Sequence, residues 1–180
     1  MTAVIPTTPS PAQESGSLER AVKATYLWKF APFIEWPASA FKSPDSPFAI
    51  CVLGSNPFGN VLDEAVAGQR ILGRPISIRH LSTVSGNSGC QILFDAGSPE
   101  QSIAAGLTAV QGAPVLTVTD SQDNGGPKGI INFVIEEGHV RFEINDATAL
   151  ANGLTISSKL LSLAVAVTPR TEKSSRTRVA

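Results

Sequence analysis

The sequence predicts a single-domain α/β fold: a mostly parallel sheet flanked by helices on both faces, with an antiparallel C-terminal hairpin. Three observations predict it. Apolar runs of strand length at residues 48–53, 76–81, 90–94 and 115–119 are separated by segments carrying helix caps, the pattern of parallel strands joined by crossover helices. Residues 131–144 alternate apolar and polar side chains on either side of Glu137-Gly138, which reads as a tight hairpin turn. A chain of 180 residues with 42% hydrophobic and 16% charged content fills one core and is short for two domains.

In chain order, residues 1–16 (MTAVIPTTPSPAQESG) have neither a basic n-region nor an apolar h-region and read as a disordered leader. Ser17 is the predicted N-cap of a helix to about residue 34, with Leu18, Val22, Leu27, Phe30, Phe33 and Ile34 as its apolar stripe. Pro32 removes a backbone donor and should kink or shorten that helix, and Pro37 marks its end. The first strand, 48–53, is apolar throughout, as a strand buried on both faces must be.

Asn56-Pro57 offers an N-cap and a proline at the first helical position, opening a helix to about residue 67 that Gly68 closes. The second strand, 76–81, leads through the Gly/Ser/Asn loop 85–89 to the third, 90–94. Ser98 and Gln101 form a capping box with Pro99 between them, predicting a helix to about residue 110. The fourth strand, 115–119, and the loop 120–129 precede the hairpin. Asn145 then caps a short helix, Gly153 ends it, and Ser157 starts another. The domain is expected over residues 17–168, with 169–180 a polar, basic, frayed tail.

A net charge of −1, from 14 Lys+Arg against 15 Asp+Glu, gives no electrostatic term for nucleic acid or an anionic membrane surface. No apolar run approaches the roughly 20 residues of a membrane span, so none is expected. Catalysis is not expected either. Neither His80 nor His139 stands beside a G-x-S-x-G elbow, and no C-x-x-C pair or close four-ligand metal set is present. The turn from Gly54 to Gly59 is neither G-x-G-x-x-G nor a P-loop, and no cofactor is expected.

Two surfaces and one crevice are candidates for binding. Tyr26, Trp28, Phe30, Phe33 and Trp36 crowd the first helix and its exit, and Trp28 and Phe30 differ by about 200° around a helix. One stripe cannot bury them all, so some form either a second core layer or an apolar patch for a partner or a homodimer. On the hairpin, His139, Arg141 and Glu143 share one face with Asn145 beyond, either as solvated strand positions or as a reader of an acidic or polar partner group. A small-ligand pocket is the alternative, at the strand ends near Ser55, Asn56, Asp95 and Asp120.

The blocks VKATYLWKFAPFIEWP, FAICVLGSNPFG, CQILF, VLTVTD and INFVIEEGHVRFEIN…GLTISSKLL, taken in this order over about residues 18–167, resemble the YfiR family. That family comprises small bacterial periplasmic proteins whose namesake represses a membrane-bound diguanylate cyclase by binding its periplasmic domain. The resemblance implies export to the periplasm, an α/β fold, and a non-catalytic regulatory role in cyclic di-GMP signalling. It also favours a disulfide between Cys51 and Cys90. Their strands can be neighbours in a doubly wound sheet, within the reach of a bridge; two reduced, buried cysteines are the other reading.

Overall fold

The computed structural model describes residues 8–121 and 125–171. Its centre is β2 (Phe48–Leu53), all six residues of which are buried. The strand pairs in parallel with β4 (Arg74–Leu81) on one side and β5 (Ile92–Asp95) on the other. Beyond β5 come β6 (Leu116–Thr119) and β7 (Ile131–Glu136), also parallel, and then β8 (His139–Asn145), antiparallel to β7. Two short strands close the edges, β3 (Arg70–Ile71) beside β4 and β10 (Ala166–Thr168) beside β8. The eight-stranded order is β10-β8-β7-β6-β5-β2-β4-β3, mostly parallel with the hairpin antiparallel. This is the α/β fold the sequence predicts.

Period-two alternation divides the core between the two faces of the sheet. Phe48, Ile50 and Val52 join a large cluster with Ala24 and Leu27 of α1 (Pro11–Lys29), with Phe30 at its C-terminal cap, and with Leu62 of α2 (Val61–Val66). Cys51 and Leu53 point the other way, into a small cluster with Val84, Cys90, Leu93, Val110 and Val115. Cys51 and Cys90 are bonded there, with Cα atoms 5.8 Å apart. The bridge ties the central strand to the entry of its neighbour β5 and lies wholly inside the core.

Several boundaries differ from the sequence expectation, each for a local reason. The first helix starts at Pro11, not after Ser17: Ser10 donates its N–H to Gln13 Oε1 at 3.1 Å, Pro11 fits the first helical position, and the Ser17 hydroxyl bonds back to the Glu14 carbonyl inside the helix. Residues 11–16 of the expected leader are therefore helical, while residues 1–7 lie outside the described ones. The helix also stops at Lys29, because Pro32 forces a 3-10 turn over Ala31–Phe33. Ile34–Glu35 then forms β1, antiparallel to β9 (Thr155–Ile156).

Asn56 does not cap α2. Its Oδ1 accepts the Phe58 N–H and its Nδ2 donates to the Gly59 carbonyl, so Asn56-Pro57 makes a turn that buries Phe58 edge-on against Phe94 at 4.9 Å. Ser98 likewise holds a turn, accepting the Gln101 N–H at 3.0 Å, while the Gln101 side chain is diverted to both backbone groups of Val84. Helix α3 (Ile103–Ala109) begins one turn later, capped by Ser102. Within the expected tail, Arg170 pairs with Asp146 at 2.8 Å; residues 172–180 lie outside the described ones.

The C-terminal hairpin matches its sequence signal. Glu137 and Gly138 have φ of +50° and +75°, the two left-handed residues a right-twisted hairpin turn requires. Asn145 caps α4 (Asp146–Ala151) through the Thr148 N–H at 2.9 Å, and Ser157 caps α5 (Ser158–Leu161) through the Leu160 N–H.

Candidate functional site

The aromatic residues of α1 meet the hairpin in one cluster. Tyr26 stacks on Phe30 with centroids 5.7 Å apart, and Phe142 of β8 sets its ring edge-on to both, at 5.7 and 5.2 Å. Phe30 and Phe142 are buried, but the outer side of the cluster is open. A cleft of about 390 Å³ lies there, lined by Tyr26, Lys29, Phe30, Phe33, Arg141, Phe142, Leu160 and Leu163. A second hollow of about 300 Å³ shares Tyr26 and Lys29 and continues along α1 past Thr25, Val22 and Ala21. Leu163 stands at the mouth, 60% exposed.

The sheet edge explains why the cleft is open. A two-residue hairpin directs the peptide groups of His139, Arg141 and Glu143 toward β7 and those of Val140, Phe142 and Ile144 outward. Strand β10 pairs only with Glu143–Asn145. Upstream of it, the Phe142 carbonyl accepts the Val165 N–H, and among the described residues the Val140 carbonyl accepts Arg141 Nη1 alone, at 3.3 Å. Arg141 thus folds back over an uncovered edge and lines the cleft.

The predicted partner contacts divide. Arg141 reaches the cleft. Glu143, on the same hairpin face, pairs with Lys128 at 2.8 Å, Asn145 is committed to its cap, and His139 Nδ1 lies 2.9 Å from the Glu137 carbonyl within the turn. Trp28 packs half-buried against the main core, its Nε1 without a hydrogen-bond partner among the described residues and Lys29 Nζ 5.7 Å from its ring. Trp36 sets its ring edge-on to Phe48 at 5.3 Å and donates to the Ala31 carbonyl. Of the aromatic set, Tyr26 and Phe33 face outward.

The four strand-end residues are not brought into one pocket. Ser55 and Asn56 are exposed on their turn. Asp120 reaches across the α1 face of the sheet to Lys23, which is buried between it, at 2.7 Å, and Glu19. Asp95 turns to the opposite face and is 1% exposed. Its Oδ1 accepts the Gly97 N–H at 3.0 Å, and its Oδ2 lies against α3, where a Cβ on Gly106 would stand 2.3 Å away. Burial pushes this carboxyl up to about 6, against the smaller opposing pull of the Gly97 N–H. Between the Ser55-Asn56 turn and Asp95 the backbones close up: a Cβ on Gly54, whose φ is +85°, would stand 1.7 Å from the Gly97 carbonyl oxygen.

One organising residue escapes the sequence reading. Asn132 is buried, accepts from the Thr119 hydroxyl and the Ser121 N–H, and donates to the Ser121 carbonyl, clamping both ends of the loop that enters the hairpin. Its signal was a polar amide in an otherwise apolar stretch, opposite Thr117 and Thr119, whose hydroxyls accept the Ile130 and Gly129 N–H groups.

The sequence matches the model of the YfiR/HmsC-like family over residues 20–165. The protein belongs to this family. Among curated proteins none matches it. The matched span of this YfiR/HmsC-like chain takes in the second half of α1, strands β1 to β9 with the hairpin, and α5, and so includes every residue lining the aromatic cleft. Among the described residues no helix is long and apolar enough to cross a membrane, and the Cys51–Cys90 bridge fits an oxidising compartment.

Proposed function

We propose that this protein is a non-catalytic periplasmic regulator that binds the outer domain of a membrane-bound diguanylate cyclase and holds the enzyme inactive. The observation that carries the reading is the family match across nearly the whole domain. The disulfide supports the compartment, and the aromatic cleft with its exposed Leu163 supplies a contact face of the right character: apolar at the centre, with Lys29 and Arg141 at its border.

Repression follows from differential binding. A protein that fits one conformation of the partner's outer domain shifts the partner toward that conformation by no more than its difference in affinity for the two states. A hundredfold preference, about 2.7 kcal/mol, suffices for strong control of an evenly poised enzyme. This chain makes and breaks no bond in the process.

The test is a pull-down of the oxidised chain with the outer domain of the cyclase encoded beside it, paired with cyclic di-GMP measured in cells. Capture is expected with the native chain and at least tenfold less with Leu163→Glu, which leaves the core intact, and cyclic di-GMP should rise with the variant. An outer domain that ignores the native chain, with cyclic di-GMP unchanged on its deletion, refutes the role.

A further inference from the structure

We infer that the cleft between α1 and β8 binds a free medium-chain acyl carboxylate. Shape is the first ground. At about 390 Å³ the cleft lies within the range of small-ligand sites, roughly 300–1,000 Å³, and its neighbour of about 300 Å³ shares Tyr26 and Lys29 with it. The two adjoin at Tyr26 and Lys29 on one side of α1, which leaves room there for a flexible chain. Tyr26, Phe30, Phe33, Phe142, Leu160 and Leu163 supply an apolar lining for such a chain.

Charge is the second ground. No aspartate or glutamate lines either hollow, whereas Lys29 lines both and Arg141 lines the larger. Three other cations of the domain are neutralised, Lys23 by Glu19 and Asp120, Lys128 by Glu143 and Arg170 by Asp146; what sets Lys29 and Arg141 apart from the rest is that they border an apolar cleft. Among the described residues Lys29 and Arg141 have no acidic partner; Lys29 rests over the Trp28 ring and Arg141 on a backbone carbonyl. Cations left without acids on two sides of an apolar cleft complement a ligand with one anionic end. A carboxylate suits them, because arginine presents paired donors to its two oxygens while lysine adds a point charge. The hollow beside Lys128 makes the contrast, since its lining contains Glu143 and already holds a closed ion pair.

Such binding would occupy the contact face assigned to the cyclase, and it is tested without that partner, so its failure leaves the regulatory reading standing. Isothermal titration of the full oxidised chain with monomeric dodecanoate should show saturable one-to-one binding. Arg141→Ala and Lys29→Ala should each weaken it by about tenfold, the scale of one charge-assisted contact at a partly open site. Leu163→Glu should abolish it, with thermal melts confirming that these surface variants remain folded. Dodecanol and acetate, which carry the chain or the head alone, should bind at least tenfold more weakly. Absence of saturable binding, equal affinity for dodecanol, or full affinity in all three variants overturns the proposal. So does capture by anionic phospholipid vesicles without binding of soluble dodecanoate, which would assign the cations to a membrane surface.

Discussion

Replacing Asp95 by asparagine isolates the cost of one buried carboxylate. The native carboxyl ionises at about 6 in place of 3.8, chiefly because burial under α3 desolvates it. Its folded value is thus raised above the unfolded one, and the folded state holds the proton more tightly. The resulting stability is fully present below pH 3.8 and is lost as pH rises through about 6. At about 1.4 kcal/mol per pH unit, the interval is worth about 3 kcal/mol. Asparagine keeps an Oδ1 for the Gly97 N–H but never ionises. Urea unfolding of both proteins at pH 4, 5, 6 and 7.5 cancels every titration they share, and the stability of the variant relative to the native chain should climb by about 2.4 kcal/mol from pH 4 to 7.5, because an unfolded carboxyl with a pKa of 3.8 is already more than half ionised at pH 4. A difference that stays constant across that range would refute the assignment of a desolvated, high-pKa carboxyl to this site.

Three further outcomes follow from the packing. Cys51→Ala with Cys90→Ala should lower the urea-unfolding free energy by about 4 kcal/mol, the loop-entropy value for a closure of 39 residues, and reductant should then have no further effect. Gly106→Ala should destabilise the domain by about 1–3 kcal/mol in thermal melts: alanine gains about 1 kcal/mol of helix propensity, but its Cβ, 2.3 Å from Asp95 Oδ2 and 2.8 Å from Leu53 Cδ2, forces α3 off the sheet, so the Asp95→Gly partner change should restore only part of the loss. Asn145→Ala, which deprives α4 of its cap, should cost about 1 kcal/mol by chemical denaturation, and Asn145→Ser should recover most of it.

What the sequence made legible is what local rules decide. The all-apolar run of β2, the left-handed pair Glu137-Gly138, and the caps Asn145 and Ser157 each carry their own physical signal and stand where that signal puts them. Strands β1, β3, β9 and β10 have only two or three residues, too few to show a period, and exist because a neighbour offers an edge. At Ser98 two signals competed: the local capping box lost because Gln101 finds both backbone groups of Val84, a tertiary contact. The binding face was half visible. An excess of aromatic residues over one helical stripe announced that some must look outward, but only the packing of Phe142 against Tyr26 and Phe30 decides that Tyr26 and Phe33 do so while Trp36 turns in toward Phe48.

The near-contact of Gly54 and Gly97 bears on how such a sheet is used. Chain order reverses between β2 and β5, and open α/β sheets ordinarily seat nucleotides in the gap above that reversal. Here main chain plugs the gap, and no side-chain replacement at Gly54 can reopen it, since any Cβ would drive the two loops into each other. The open cleft lies instead at the hairpin margin, with β6 and β7 between it and the stapled central strand.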